Sequence, residues 1–86
     1  MTKHKTINDI VSGWNEYKRP EIGDMFKHYK GDIYEIVTTG FIETTLVACV
    51  VYRSTTTHVV WVRTAQDFFE TVKHAKQTVP RFTHVT

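Results

Sequence analysis

Aromatic and basic residues stand close together at four places in this 86-residue chain. The combinations are Tyr29 with Lys30, Tyr52 with Arg53, Trp61 with Arg63, and Arg81 with Phe82. Aromatic rings stack on nucleobases, and guanidinium groups form paired hydrogen bonds with phosphate. This composition indicates a site for an anionic ligand of nucleotide type. The alternative is a structural role, because Tyr and Trp are common strand residues and a neighbouring Arg then points to the opposite face.

Residue patterns typical of catalysis are not found in the sequence. A nucleophile would require an oriented acid or base, and the single cysteine, Cys49, lies in an apolar run without a neighbouring positive charge. The five histidines lack the close spacing that zinc ligands usually show. The carboxylates fall near expected turns and strand ends, where solvation is their ordinary role. We therefore expect a protein without enzymatic activity, metal site or cofactor.

The length and composition describe one small globular domain. Hydrophobic residues make up 41% of the chain, and 11 basic against 9 acidic side chains give a net charge of +2. This small charge allows an anionic partner without indicating extensive nucleic-acid binding. No apolar run approaches the roughly 18 residues of a membrane span, and the N-terminus lacks the apolar segment of a signal peptide. We therefore expect a cytoplasmic protein that does not associate with membranes.

The N-terminal segment predicts an amphipathic helix over residues 7–17. Thr6 can cap this helix, and Asp9 stands where a carboxylate completes a capping box. Apolar residues follow at helical spacing, and this stripe is expected to be buried. Its members are Ile7, Ile10, Val11, Trp14 and Tyr17. Pro20 and Gly23 then end the helix and begin a linker.

From residue 25 onward the pattern changes to short β-type runs separated by turn residues. Strands are expected at 25–29, 33–38, 46–53, 58–63 and 81–85, a helical turn near 65–72, and turns at Lys30–Asp32, Thr39–Gly40 and Ser54–Thr57. Closing such strands into a small barrel removes exposed edges. The sequence therefore predicts a mainly β protein, with a helix and linker over residues 1–22 and a small antiparallel barrel over residues 23–86.

A hairpin closed at Ser54–Thr57 would pair the two most apolar runs. It places Arg53 opposite His58, Val51 opposite Val60 and Cys49 opposite Val62, while Tyr52, Val50 and Ala48 lie on the other face opposite Val59, Trp61 and Arg63. Both faces of residues 46–52 are largely apolar, which is expected when each face is covered. The cover on one face would be the N-terminal helix or a second copy. We expect a homo-oligomer with Ile10 or Trp14 at or near the interface, and the helix as an intramolecular lid is the alternative.

Short motifs in this order resemble the small bacterial and phage family DUF1653. They are His28-Tyr29-Lys30-Gly31, Val51-Tyr52-Arg53-Ser54, Trp61-Val62-Arg63 and Val79-Pro80-Arg81-Phe82. The resemblance covers about residues 23–85. It implies an SH3-like antiparallel β-barrel and brings no established activity with it. The sequence departs from the family pattern at residues 55–58, where relatives carry a Gly-rich loop, and at Thr64, where proline is usual.

These features favour a noncatalytic binding module for a small anionic, nucleotide-type ligand, and a phage-type protein of this kind would act by sequestering a signalling nucleotide. The alternative is an SH3-like adaptor that binds protein or nucleic acid. The candidate ligand-binding residues are Tyr29, Lys30, Tyr52, Arg53, Trp61, Arg63 and Arg81. Because Arg63 and Arg53 end rigid β segments, we expect them to contribute more to binding than Lys73 or Lys76.

Overall fold

The computed structural model describes residues 6–86 as a mainly β protein with two antiparallel sheets. The helices are α1 (Ile7–Val11) and α2 (Ala65–Phe68), and a short 3-10 turn follows α1 at Ser12–Trp14. The strands are β1 (Met25–His28), β2 (Ile33–Ile42), β3 (Val47–Ser54), β4 (Val60–Thr64), β5 (Thr71–His74), β6 (Gln77–Pro80) and β7 (Phe82–His84). Within residues 6–86, no helix has the length and apolar character to cross a membrane.

The larger sheet is open between its two outer strands. Its order is β4-β3-β2-β1-β7, and β5 pairs with β6 in a separate hairpin. The prediction of a mainly β, antiparallel fold is confirmed, but across residues 6–86 the strands do not close into a barrel. After β4 the chain turns into α2 and then into the β5–β6 hairpin, so that β7 returns beside β1 and β4 stays at the edge.

Two turns differ from those expected. Thr39 and Gly40 lie inside β2 rather than in a turn, because β3 pairs with β2 as far as Ile42, past a bulge after Ile36. The β5–β6 hairpin was not expected from the pattern. Ala75 and Lys76 have φ values of 52° and 67° in its turn, a conformation for which Gly and Asn are the usual sequence signals.

The N-terminal helix begins at the predicted residue but is shorter than predicted. The Thr6 hydroxyl accepts a hydrogen bond from the backbone N–H of Asp9, and the Thr6 N–H donates to the Asp9 carboxylate, both at 3.2 Å. The α-helix ends at Val11 rather than at residue 17. Its apolar stripe is largely unburied, since Ile7 is 74% exposed; Trp14, by contrast, is only 5% exposed and packs in the core. Residues 1–5 of this predicted segment lie outside the described residues.

An aromatic cluster forms the centre of the core. The ring of Phe68, on α2, is fully buried and stacks on Phe82 with 4.3 Å between the ring centroids. Phe26 and Tyr52 contact the same ring edge-on. Because these three partners lie on β7, β1 and β3, the cluster fixes α2 across most of the width of the sheet. The other buried hydrophobic residues of this cluster are Trp14, Ile36, Ala48, Val50 and Ala65.

Strands β3 and β4 pair in a register two residues away from the predicted one. Tyr52 lies opposite Trp61, and Arg53 lies opposite Val60 rather than His58. The predicted register is wrong because His58 belongs to the loop, where it adopts a φ of 64°. A shift of two residues preserves the side-chain faces, since side chains alternate along a strand with a period of two.

The loop between β3 and β4 is held by the residue that precedes it. The Ser54 hydroxyl, which is buried, accepts hydrogen bonds from the backbone N–H groups of Thr56 and Thr57 at 3.1 and 3.0 Å. The Ser54 N–H donates to the Val59 carbonyl at 3.0 Å and closes the loop. These bonds satisfy the backbone without the glycines expected in a tight turn.

Replacing Trp14 with Ala tests whether the N-terminal segment belongs to the core. We expect the free energy of unfolding to fall by about 3–5 kcal/mol, because the substitution removes a buried indole and leaves a cavity. Ile7→Ala, in the preceding helix, should change it by less than about 0.5 kcal/mol because that side chain is exposed. Urea unfolding followed by circular dichroism measures both values. If Trp14→Ala lowers the free energy of unfolding as little as Ile7→Ala does, the segment does not pack on the sheet.

Candidate ligand site

A cavity of about 190 Å³ lies on the face of the large sheet that carries Tyr52 and Trp61. Its lining residues are His28, Tyr34, Tyr52, Trp61, Arg63 and Phe82. Three of these, Tyr52, Trp61 and Arg63, are candidate ligand-binding residues from the sequence, and they share one face as predicted. The cavity therefore brings the central part of the predicted site together.

The other three cavity residues, His28, Tyr34 and Phe82, were not among the predicted ligand-binding residues. His28 ends β1 directly opposite Phe82 on β7. Tyr34 is on β2, and its ring contacts the rings of both Tyr52 and Phe82, with centroids 5.3 and 5.7 Å apart. All five strands of the sheet thus contribute to the cavity. His28 belongs to the His28-Tyr29-Lys30-Gly31 motif, one of those that carry the resemblance to DUF1653, and this motif was the available sequence signal for it.

A hydrogen bond between two site residues positions the guanidinium group of Arg63. Its Nε donates to the Tyr52 hydroxyl at 3.1 Å. Burial raises the pKa of Tyr52, although the bond from Arg63 acts in the opposite direction, so the phenol stays protonated at neutral pH. Within residues 6–86, no carboxylate forms an ion pair with Arg63. Its terminal amino groups can therefore serve a ligand.

The surroundings of His28 are electrically positive. Burial lowers the pKa of His28, and nearby positive charges lower it further. Those charges belong, in decreasing order of effect, to Arg63, Lys30 and Arg81, while Asp32 acts in the opposite direction. The Nδ1 atom of His28 accepts a hydrogen bond from the Lys30 N–H at 3.1 Å, as a neutral imidazole does. An anion in the cavity would be attracted by these charges.

Two of the three predicted arginines, Arg53 and Arg81, pair with carboxylates outside the cavity. Arg53 lies on the opposite face of β3 from Tyr52 and forms an ion pair with Glu35, directly across on β2, with 2.6 Å between Nη2 and Oε1. Arg81 donates from Nε to the Asp67 carbonyl at 3.0 Å and pairs with Glu70 at 3.7 Å. Neither side chain lines the cavity. Arg81 contributes through its charge, and Arg53 forms a cross-strand contact between β3 and β2.

Tyr29 and Lys30 lie beside the cavity, in the turn between β1 and β2. The Lys30 ammonium is 5.8 Å from the centroid of the Tyr29 ring. That ring packs against His28, with centroids 4.5 Å apart, and against His74 on the neighbouring hairpin. Tyr29 therefore packs against His28 without lining the cavity itself. Lys30 adds positive charge at the rim.

Replacing Arg63 with Gln should raise the pKa of His28. The substitution removes the strongest of the positive charges that disfavour the imidazolium form. Arg53→Gln is the matched control, because Arg53 lies on the opposite face and should leave the His28 titration unchanged. NMR titration of the imidazole protons measures both effects. If the two variants shift His28 equally, Arg63 does not set the potential at the cavity.

Comparisons with known proteins identify the family of this chain. A family model described as "Protein of unknown function (DUF1653)" matches residues 24–84. The chain is also similar to the crystal structure of a DUF1653 protein from Bordetella bronchiseptica, with a TM-score of 0.67 and 24% sequence identity, covering 83% of this chain and 90% of that one. No curated protein sequence matches significantly. Because the family match spans well over half of the chain, this protein belongs to the DUF1653 family.

Proposed function

We propose that this protein is a noncatalytic binding module for a small anionic ligand of nucleotide type. The observation that carries the proposal is the pairing of a held arginine with an open aromatic surface in one cavity. Arg63 is fixed by the Tyr52 hydroxyl, and the Trp61 ring, two residues earlier on the same face, is 52% exposed. A nucleotide carries the two groups that match them, a planar base and a phosphate.

The exposed Trp61 ring is the part of the site suited to a base. Tyr52 lies directly opposite Trp61 on β3 and is buried among the core aromatic residues. Trp61 is therefore next to a rigid part of the structure. Stacking of one base on an aromatic side chain contributes on the order of 1–3 kcal/mol. A base stacked there would cover apolar surface that the chain itself leaves in water.

The size of the cavity restricts the ligand. Sites that enclose drug-sized molecules measure roughly 300–1,000 Å³, whereas this cavity measures about 190 Å³. It has room for one planar group, with the charged part of the ligand at the rim beside Arg63. A mononucleotide or cyclic nucleotide fits this description, and sequestration of a signalling nucleotide by a phage-type protein is the biological role we propose for it.

The alternative proposal is an SH3-like adaptor that binds protein or nucleic acid in a cytoplasmic setting. The strand order supports the SH3-like description, because the last strand, β7, lies beside the first, β1, as in barrels of that type. The same small cavity would accept a single base of an oligonucleotide. Affinity for an oligonucleotide should fall steeply with salt, whereas affinity for a mononucleotide should fall much less.

Substitution of Arg63 tests the proposed site. The probes are AMP, GMP, their cyclic forms and inorganic phosphate, screened by thermal shift and then measured by calorimetry. For a nucleotide that binds, Arg63→Ala should weaken affinity about 10- to 150-fold, since a charge-assisted hydrogen bond contributes roughly 1.5–3 kcal/mol. Arg53→Ala removes the same side chain from the opposite face and should leave the affinity nearly unchanged.

Three outcomes would contradict the proposal. Equal affinities of the folded Arg63→Ala and Arg53→Ala variants would remove Arg63 from the site. A greater loss in Lys76→Ala would move the site to the β5–β6 turn. If no mononucleotide binds and only an oligonucleotide does, with a steep dependence on salt, the adaptor alternative is favoured instead.

A further inference from the structure

The outer strand β4 exposes both its backbone edge and its side chains. Among the strands of residues 6–86 it pairs with β3 alone, and Val60, Trp61 and Val62 are 50%, 52% and 58% exposed. Edge strands of soluble proteins are usually protected by lysine, proline, a bulge or a covering segment. Within β4, Arg63 is the single charged residue, and neither lysine nor proline is present. This edge is therefore ready to accept another strand.

The hydrogen-bonding pattern shows which residues face outward. In an antiparallel pair, alternate residues turn their N–H and C=O groups toward the partner strand. Ser54 on β3 bonds to Val59, so the next bonded pair along the ladder is Tyr52 with Trp61. The bonded pair after that is Val50 with Arg63, so Val60 and Val62 alternate with the bonded residues of β4. Their backbone groups consequently point away from β3, toward the open side.

We propose that two copies of this chain associate by antiparallel pairing of β4 with β4, with the twofold axis at Val62. Val62 is the central residue of the five-residue strand, so this register pairs the strand along its whole length. The two Val62 residues exchange backbone hydrogen bonds, and Val60 lies opposite the partner's Thr64. On the cavity face, Trp61 lies opposite the partner's Arg63.

The charges select this register over its neighbours. Centring the pair on Arg63 would place two guanidinium groups directly opposite each other, which destabilises a sheet. Centring it on Trp61 would leave Arg63 opposite Val59, outside the strand. With the axis at Val62, each Arg63 instead meets the Trp61 ring of the other copy, which is a favourable cation–π arrangement. The strand is therefore complementary to a second copy of itself.

The pairing brings side chains of the two copies together on both faces of the joined sheet. On the face away from the cavity, the exposed Val60 and Val62 of both copies form one apolar strip. On the other face, the two cavities adjoin. Five residues of strand extend about 17 Å, so the edge is a small interface and the dimer should dissociate on dilution. Of the two residues predicted at or near an interface, Ile10 or Trp14, Trp14 is buried within its own chain.

Substitution of Val62 with Lys tests the pairing without any ligand. Val85→Lys is the matched control, because Val85 is 55% exposed but lies beyond β7 at the opposite side of the sheet. Sedimentation velocity over a wide range of concentrations should show a monomer–dimer equilibrium for the unmodified protein and for Val85→Lys. Val62→Lys should weaken dimerisation by about 10-fold or more, equal to about 1.4 kcal/mol. Val60→Lys, on the same edge, should act in the same direction.

Circular dichroism establishes that each variant keeps its fold. An unmodified protein that stays monomeric up to high micromolar concentration would overturn the proposal. It would also be overturned if Val62→Lys and Val60→Lys dimerise as strongly as Val85→Lys does. Loss of the dimer in Ile7→Lys alone would assign the interface to the exposed face of α1. Because no nucleotide is present, each result stands apart from the proposed ligand site.

Discussion

The hydrogen bond from Arg63 to the Tyr52 hydroxyl joins the core of this protein to its surface chemistry. The Tyr52 ring is buried against Phe68 and Phe82, so its position is fixed by the same contacts that hold α2 on the sheet. Its hydroxyl reaches the cavity and holds the guanidinium group there. An arginine held in this way loses less conformational freedom when it binds an anion than a mobile lysine does. Disturbing the aromatic core would therefore also disturb the site.

The position of β4 at the sheet edge explains the other properties of this face. Because α2 and the β5–β6 hairpin follow β4, the returning strand β7 joins β1 and leaves the β4 backbone open. The same strand carries Trp61 and Arg63 into the cavity. A second β4 added at this edge would extend the sheet and bring two sites together. Ligand binding and association thus involve the same short strand, the first through the cavity-facing side chains of Trp61 and Arg63 and the second through its backbone edge.

Side-chain alternation made part of the site predictable, since it places Tyr52, Trp61 and Arg63 on one face even when the register is shifted by two residues. The left-handed conformation of His58 caused that shift, and no glycine marked it. Tyr34 and His28 join the cavity through strand pairings that spacing alone does not specify. The ion pair that engages Arg53 depends on Glu35 lying across from it on β2. The β5–β6 hairpin forms a separate sheet and was not predicted. Its turn, at Ala75 and Lys76, lacks the Gly or Asn that usually marks such a turn.

Mapping a bound nucleotide on the unmodified protein shows whether the cavity is the binding site. The measurement is a titration with AMP followed by NMR, observing the Trp61 indole N–H, the Arg63 Nε–H and the His28 ring together with the backbone amides. We expect saturable shifts of these three groups, with the Arg53 Nε–H unchanged, and weaker effects from inorganic phosphate alone. Shifts confined to the lysines of the β5–β6 hairpin, or no shifts at the cavity when AMP is in large excess, would contradict this expectation.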